Sequence, residues 1–347
     1  MQANLKFLNM AFKRYLLGLL NLMPNFIVKK IMVKRFGHIG FELSNLCNAN
    51  CTFCAYRFQK REKGKIKSEL FDKVLGEYVT SNGGNISFSP TVGDPLVDKN
   101  IVDKINRAAD FKEIKQIALY TNGILLKKIG FQNLLTSGLT QLSISTFIGS
   151  KEGYLKYYGV NKYDLVMSNI LEISKLNAQM GFPVNITLHL RVDLDQQAWR
   201  NSPIFKEIKK YIKNNNISFL TEYDNWSGKI FETDLPLGAK IETPMDIKEK
   251  SKSPCFEMYR RMHIYSDGNV GCCVCRDIEG EINIGNVQDQ TITEIWNGKK
   301  LSNYRENWIS SGEMPNVCKG CTRYKSIDSF IRKNKKTILV NFLKRTY

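Results

Sequence analysis

From His38 onward, short apolar runs alternate with stretches whose apolar residues recur every three to four positions. The short runs predict strands at 38–44, 85–90, 115–121, 141–146, 184–193 and 217–223. The longer stretches predict helices near 68–79, 98–109, 125–135, 162–180 and 203–214. Each successive pair of strands is separated by a helix, which argues for parallel βα units rather than hairpins. Right-handed crossovers would wind these units into a partial (β/α)6 TIM-like barrel over residues 37–223, so the expected class is α/β. The rhythm then breaks. Residues 224–254, with Trp226, Gly228, Pro236, Gly238 and Pro244, read as a connector. Residues 255–321 form a small Cys-rich α+β module, with strand signals at 262–266 and 269–272 and a helix near 292–310. The flanks are residues 1–36, where Leu5, Leu8, Phe12, Leu16 and Met23 recur near helical spacing, and a basic tail over 322–347.

A chain of 347 residues with 43% hydrophobic and 24% charged residues can bury a sizeable core. Its net charge of +18 invites a nucleic-acid partner, but the charge is unevenly placed. Residues 1–36 and 323–347 carry +14 of it, leaving +4 for the whole body, and no nucleic-acid-binding motif is present. The uncharged stretch 15–28 is only 14 residues long and contains Asn21, Pro24 and Asn25, too short and too interrupted to span a bilayer. A signal peptide is the alternative for a basic-then-apolar start. The thiol pattern below suits a reducing compartment instead, so a cytoplasmic protein is expected. The amphipathic N-terminal stretch reads as a helix packed against the barrel, with peripheral membrane contact aided by the basic tail, or the docking of an acidic electron donor, as the alternatives.

Nine cysteines fall in two groups separated by 200 Cys-free residues. Cys47, Cys51 and Cys54 follow the first predicted strand directly. Three thiolates in so short a loop fit one face of an iron–sulfur cubane, and with no fourth cysteine nearby one iron is left open. A loop after a barrel strand lies at the C-terminal face, where such folds place their chemistry. A zinc site would be expected to add histidine or a second Cys pair, and none of His38, His189 and His263 lies beside this loop. The second group comprises Cys255, Cys272, Cys273, Cys275, Cys318 and Cys321.

The Cys-x3-Cys-x2-Cys spacing, with Phe53 before the last cysteine, resembles the radical S-adenosylmethionine (SAM) superfamily over roughly residues 38–223. The loop Thr91-Val92-Gly93-Asp94-Pro95-Leu96 resembles that superfamily's Gly-Gly-Glu loop, which meets the amino group of SAM, with Val92 and Asp94 as departures. Thr121-Asn122-Gly123 after the third strand, Ser145 on the fourth and Arg191 on the fifth also match. The resemblance implies a [4Fe–4S] cluster on Cys47, Cys51 and Cys54, and SAM contacts among Phe53, Gly93, Asp94, Pro95, Ser145 and Arg191. It implies reductive cleavage of SAM to a 5′-deoxyadenosyl radical that abstracts a hydrogen atom from substrate.

Asp267-Gly268-Asn269-Val270, Ile284-Gly285-Asn286-Val287, Ile295-Trp296-Asn297 and the Cys318-x2-Cys321 pair together resemble the SPASM/Twitch extension of such enzymes. With no cysteine after Cys321, the resemblance implies the shorter form, holding a second [4Fe–4S] cluster on Cys255, Cys273, Cys318 and Cys321. Alternation along a strand puts Cys272 and Cys273 on opposite faces and leaves Cys275 as a substitute for Cys273. A zinc ribbon with four cysteine ligands is the alternative. The implied function is a net oxidation of a small or lipid-linked polyol or sugar, with the auxiliary cluster as electron acceptor. A flavodoxin- or ferredoxin-like protein would donate electrons. The alternatives are a peptide-modifying maturase and a non-catalytic iron–sulfur or zinc-binding interaction protein. About 37 residues precede the first strand, fewer than a leader-binding domain is expected to need. Glu42, Tyr223 and Asp224 are expected to line the cavity, and no residue is assigned as general acid or base.

Overall fold

The computed structural model describes residues 22–34, 36–89, 91–193, 196–244, 246–273 and 276–343. The predicted amphipathic segment 4–23 lies almost wholly outside the described residues, as does Cys275.

Six parallel strands form the heart of the fold: β1 (His38–Phe41), β2 (Gly84–Phe88), β3 (Ile114–Thr121), β4 (Gln141–Phe147), β5 (Asn185–Arg191) and β6 (Ile217–Leu220). The mixed α/β architecture with a largely parallel central sheet is that of a partial TIM-like barrel followed by a Cys-rich module. A parallel sheet covered on both faces reads as a continuous apolar run. The strand β5 instead alternates. Along β5, Ile186, Leu188 and Leu190 are buried, while His189 and Arg191 face a cavity. On β2, Asn85, Ile86 and Ser87 all border the cavity, while Phe88 is buried away from it. The apolar set joins the buried core, and the polar set lines the barrel interior.

The Cys-rich module is fused to this sheet. After a separate parallel pair, β7 (Glu222–Tyr223) with β8 (Lys240–Ile241), the strand β9 (Arg261–Ile264) pairs parallel with β1. Then β10 (Asn269–Gly271) and β11 (Asn283–Asn286) add antiparallel strands, giving one nine-stranded sheet. Without β9, the backbone of β1 would present an unpaired edge. One buried apolar cluster accordingly runs from Ile39 and Leu142 through Ile264 to Trp296 and Trp308.

The helices are α1 (Asn25–Met32) ahead of the sheet, and α2 (Ser68–Thr80), α3 (Ile101–Ala109), α4 (Leu126–Ile129) and α5 (Phe131–Thr136) in the first crossovers. A helix that periodicity did not reveal, α6 (Lys151–Tyr158), follows β4. Ser150 caps it by accepting from the Gly153 amide at 3.0 Å. Its last-turn carbonyls at Tyr157 and Tyr158 accept from the amides of Thr52 and Asn50, so this helix end holds the loop of the first cysteines. Beyond it come α7 (Tyr163–Gln179), α8 (Gln196–Asn201) and α9 (Pro203–Lys209) in the barrel. The Cys-rich module adds α10 (Ile292–Trp296), α11 (Lys299–Ser311) and α12 (Asn316–Lys319). The basic segment after Cys321 contains α13 (Ile327–Leu343), which packs against α1. Lys29 pairs with Asp328 at 2.8 Å, so part of the basic charge at the two ends is engaged within the fold. Among the described residues, no helix is long and apolar enough to cross a membrane.

Candidate active site

The segment after β1 carries Cys47, Cys51 and Cys54, and three contacts fix it besides α6. The Cys47 amide donates to the Tyr56 hydroxyl at 3.1 Å. The Asp94 amide donates to the Leu46 carbonyl at 2.8 Å. Gly93 adopts φ +117, and a Cβ there would come within 2.8 Å of the Ser44 carbonyl oxygen. Only glycine lets the loop after β2 close this tightly on the cysteine loop.

Asp94 is buried, and its carboxylate accepts from the Leu96 and Asn122 amides and from the Thr121 hydroxyl. Burial raises its pKa, and these donors oppose that rise. The side chain thus ties the loop after β2 to the loop after β3. Pro95 heads the short turn Pro95–Val97 and is buried off the cavity wall. Asn122 turns inward, where its amide nitrogen reaches Asn48 Oδ1 at 2.7 Å and the Cys47 sulfur at 3.9 Å.

The three thiols open onto one cavity of about 700 Å³, shared with Phe53, Gly93, Asp94, Ser145 and Arg191. Arg191 is the unusual member. Its guanidinium lies 4.0 Å over Phe53 and 4.7 Å over Tyr223. Tyr223 is its hydrogen-bonding neighbour, and among the described residues no carboxylate pairs with it. A charged group buried this way signals an anionic partner from outside the chain. Burial first, then the charge of Asp94, pushes the Cys47 thiol up to about 12; burial likewise raises Cys51 and Cys54. Thiolates become favourable there only beside a compensating cation, as iron provides. Three thiols, a guanidinium with no carboxylate partner and a roomy polar cavity therefore fit a cluster together with a ligand bearing a carboxylate.

Tyr223 and Asp224 border the cavity, but Glu42 does not. Glu42 is fully buried, bonded to Arg61 at 2.7 Å and to Ser266 Oγ at 3.1 Å, so it pins β9 to the cysteine loop instead. Burial drives its pKa up, and Arg61 opposes that. His38 and His263 are both lowered to about 3, chiefly by burial, and stay neutral.

Comparison with known proteins agrees with this geometry. Residues 41–196 match the family described as the radical SAM superfamily, and residues 255–322 match SPASM, an iron–sulfur cluster-binding domain. The chain carries a radical SAM domain followed by a SPASM domain. It is an enzyme, and its cofactors are SAM and a [4Fe–4S] cluster, with auxiliary iron–sulfur binding in the SPASM domain. A probable GTP 3′,8-cyclase from Saccharolobus islandicus (strain M.14.25 / Kamchatka #1) is 24% identical over 278 residues, covering 71% of this chain and 86% of that protein. Two crystal structures share the fold. BtrN in complex with AdoMet and 2-DOIA has a TM-score of 0.55 and 19% identity, covering 83% of this chain and 93% of its own. Streptococcus suis SuiB bound to precursor peptide SuiA has a TM-score of 0.55 and 14% identity, covering 82% and 69%.

In the SPASM domain, Cys255, Cys273, Cys318 and Cys321 line one small cavity together with Cys272. They come from three separate stretches of chain: the turn before β9, the end of β10, and α12 with the residues after it. Burial raises the Cys318 thiol most, followed by the charges of Cys273, Cys255, Cys321 and, last, Cys272. Cys272 is fully buried. Among the described residues no group of three or more Cys, His, Asp or Glu is placed to hold a single metal ion. Two features of the radical SAM domain had little sequence signal. The Tyr56 hydroxyl acts on a backbone amide nine residues away, and the carbonyls of α6 act through backbone contacts that residue type does not encode.

Proposed function

We propose that this enzyme oxidises a small or lipid-linked polyol or sugar. The observation that carries this reading is the lining of the cavity. Beyond the three thiols, its wall carries Ser87, Gln116, Gln141, Ser145 and His189, a set of hydroxyls, amides and an imidazole suited to pairing a substrate's hydroxyl groups. Arg260 and Arg261, which share Glu257, border the same cavity beside His38 at the strand N-termini, where a phosphate on a lipid-linked sugar would find positive charge.

Within this reading Cys47, Cys51 and Cys54 hold the first cluster, while Cys255, Cys273, Cys318 and Cys321 hold the auxiliary one. When bound, the first cluster and SAM supply a hydrogen-abstracting radical, and the auxiliary cluster supplies an acceptor for the electron left on substrate. The chain's own residues do the positioning. Arg191 faces the carboxylate of SAM, Ser145 its ribose, and the Gly93 backbone its amino group. Phe53, held between Tyr158, Tyr223 and Arg191, walls off solvent. Asp94 and Pro95 act indirectly by fixing the loop. The electron donor is a flavodoxin- or ferredoxin-like protein in a reducing cytoplasm, and peripheral membrane contact would bring in a lipid-linked substrate.

The test is anaerobic reconstitution, followed by SAM and dithionite with sugar-phosphate, polyprenyl-phosphate-sugar or peptide. Formation of 5′-deoxyadenosine that is stimulated by a sugar, with a ketone product, is expected. Stimulation by peptide alone favours the maturase alternative. A fully iron-loaded chain that makes no 5′-deoxyadenosine overturns the reading.

A further inference from the structure

The connector between the two domains does more than span them. After β7, Trp226, Ser227 and Gly228 adopt φ values of 48, 59 and 87 in succession. Left-handed backbone at two consecutive non-glycine residues is costly and persists only where neighbours impose it. Here both cysteine sites impose it. On one side, Trp226 Nε1 donates to the carbonyl of Phe53, next to Cys54, at 3.0 Å. On the other, the Ser227 hydroxyl donates to the Val317 carbonyl, next to Cys318, and Asn225 Nδ2 donates to the Gly320 carbonyl, next to Cys321, at 2.9 Å. Gly320 allows the approach, since a Cβ there would lie 3.1 Å from Ser227 backbone atoms.

Two ion pairs stand on this shared wall, and Arg323 with Glu242 is one of them. Arg276 pairs with Asp224, and its guanidinium lies 4.2 Å over the Trp226 ring. Arg276 borders both the large cavity of the first thiols and the small cavity of the second.

We infer that the Arg276–Asp224 pair is a shared positioning element that sets the reduction potentials of both clusters together. This rests on the reading of the two cysteine sets as cluster ligands. A fixed cation close to a buried cluster stabilises its more negative, reduced form, and a fixed anion does the reverse. Arg276 borders both thiol cavities, and Asp224, paired with it, borders the first. The pair therefore holds the two potentials in a fixed relation, while the clamped loop holds the two sites in a fixed position.

The test is an EPR-monitored redox titration of the reconstituted full chain. Arg276→Gln is expected to shift both midpoint potentials downward, and Asp224→Asn to shift both upward. Arg276→Lys, which keeps the charge, is expected to stay near the parent values. If Arg276→Gln does not load iron, the sign of the Asp224→Asn shift decides alone. A shift confined to one cluster, or absent from both, overturns the inference. Failure of the unsubstituted chain to hold two clusters by iron content and EPR would instead overturn the reading of the ligands, a separate outcome.

Discussion

The two cysteine sites differ in how the chain builds them. The first draws three thiols from eight consecutive residues and sets them on the rim of a cavity of about 700 Å³ with polar walls. The second draws its thiols from stretches spread over more than sixty residues and closes them among Met258, Ile282 and Val317. A local loop leaves one side free for ligands, so it suits chemistry. A site assembled from distant strands and helices is enclosed by the fold that makes it, so it suits holding an electron away from water. The difference also predicts independence: losing one site need not dismantle the other.

Cys51→Ala is the most drastic way to break that contrast. Iron is expected to fall from about eight to about four per chain, and 5′-deoxyadenosine formation to background, with the auxiliary EPR signal retained. Loss of both signals would show that the sites assemble as one. Cys318→Ala is expected to do the converse, keeping SAM cleavage within about tenfold while abolishing product, which assays of both products would show. Arg191→Met sharpens the first site: SAM affinity is expected to drop about 10- to 100-fold, or about 1.4–2.7 kcal/mol, with iron content unchanged in equilibrium binding. Asp94→Ala strands the Thr121 and Asn122 donors and is expected to cost about 1–3 kcal/mol in anaerobic denaturant unfolding. Cys272→Ala is expected to have the smallest effect, about 1 kcal/mol of stability from a lost buried sulfur, with iron content intact. Iron loss in that variant would place Cys272 among the ligands.

Much of the barrel was legible from periodicity because each strand needs an apolar face toward its crossover helix, and that need is written every second residue. The three clustered cysteines were legible for a similar reason, type and short spacing, whereas Gly93 and Arg191 were expected only through the family resemblance. Glu42 was not. Its place after β1 suggested a cavity residue, but Arg61 and Ser266, distant in sequence, turn it to a structural task. Helix α6 was missed because its buried face is built from Tyr154, Tyr157 and Tyr158 within a mixed-polarity stretch, stabilised by contact with the cysteine loop rather than by its own pattern.

By itself, then, the sequence determined the parallel barrel, the local three-thiol loop and the superfamily, all of which depend on short-range spacing. Only the tertiary structure decided that β9 extends the barrel sheet, that Cys255, Cys273, Cys318 and Cys321 share a cavity, and that Arg276 and Asp224 stand between the two sites. Those are pairings between residues tens to hundreds of positions apart. They are fixed by satisfying a strand edge and by closing one common core, neither of which leaves a periodic trace in the chain.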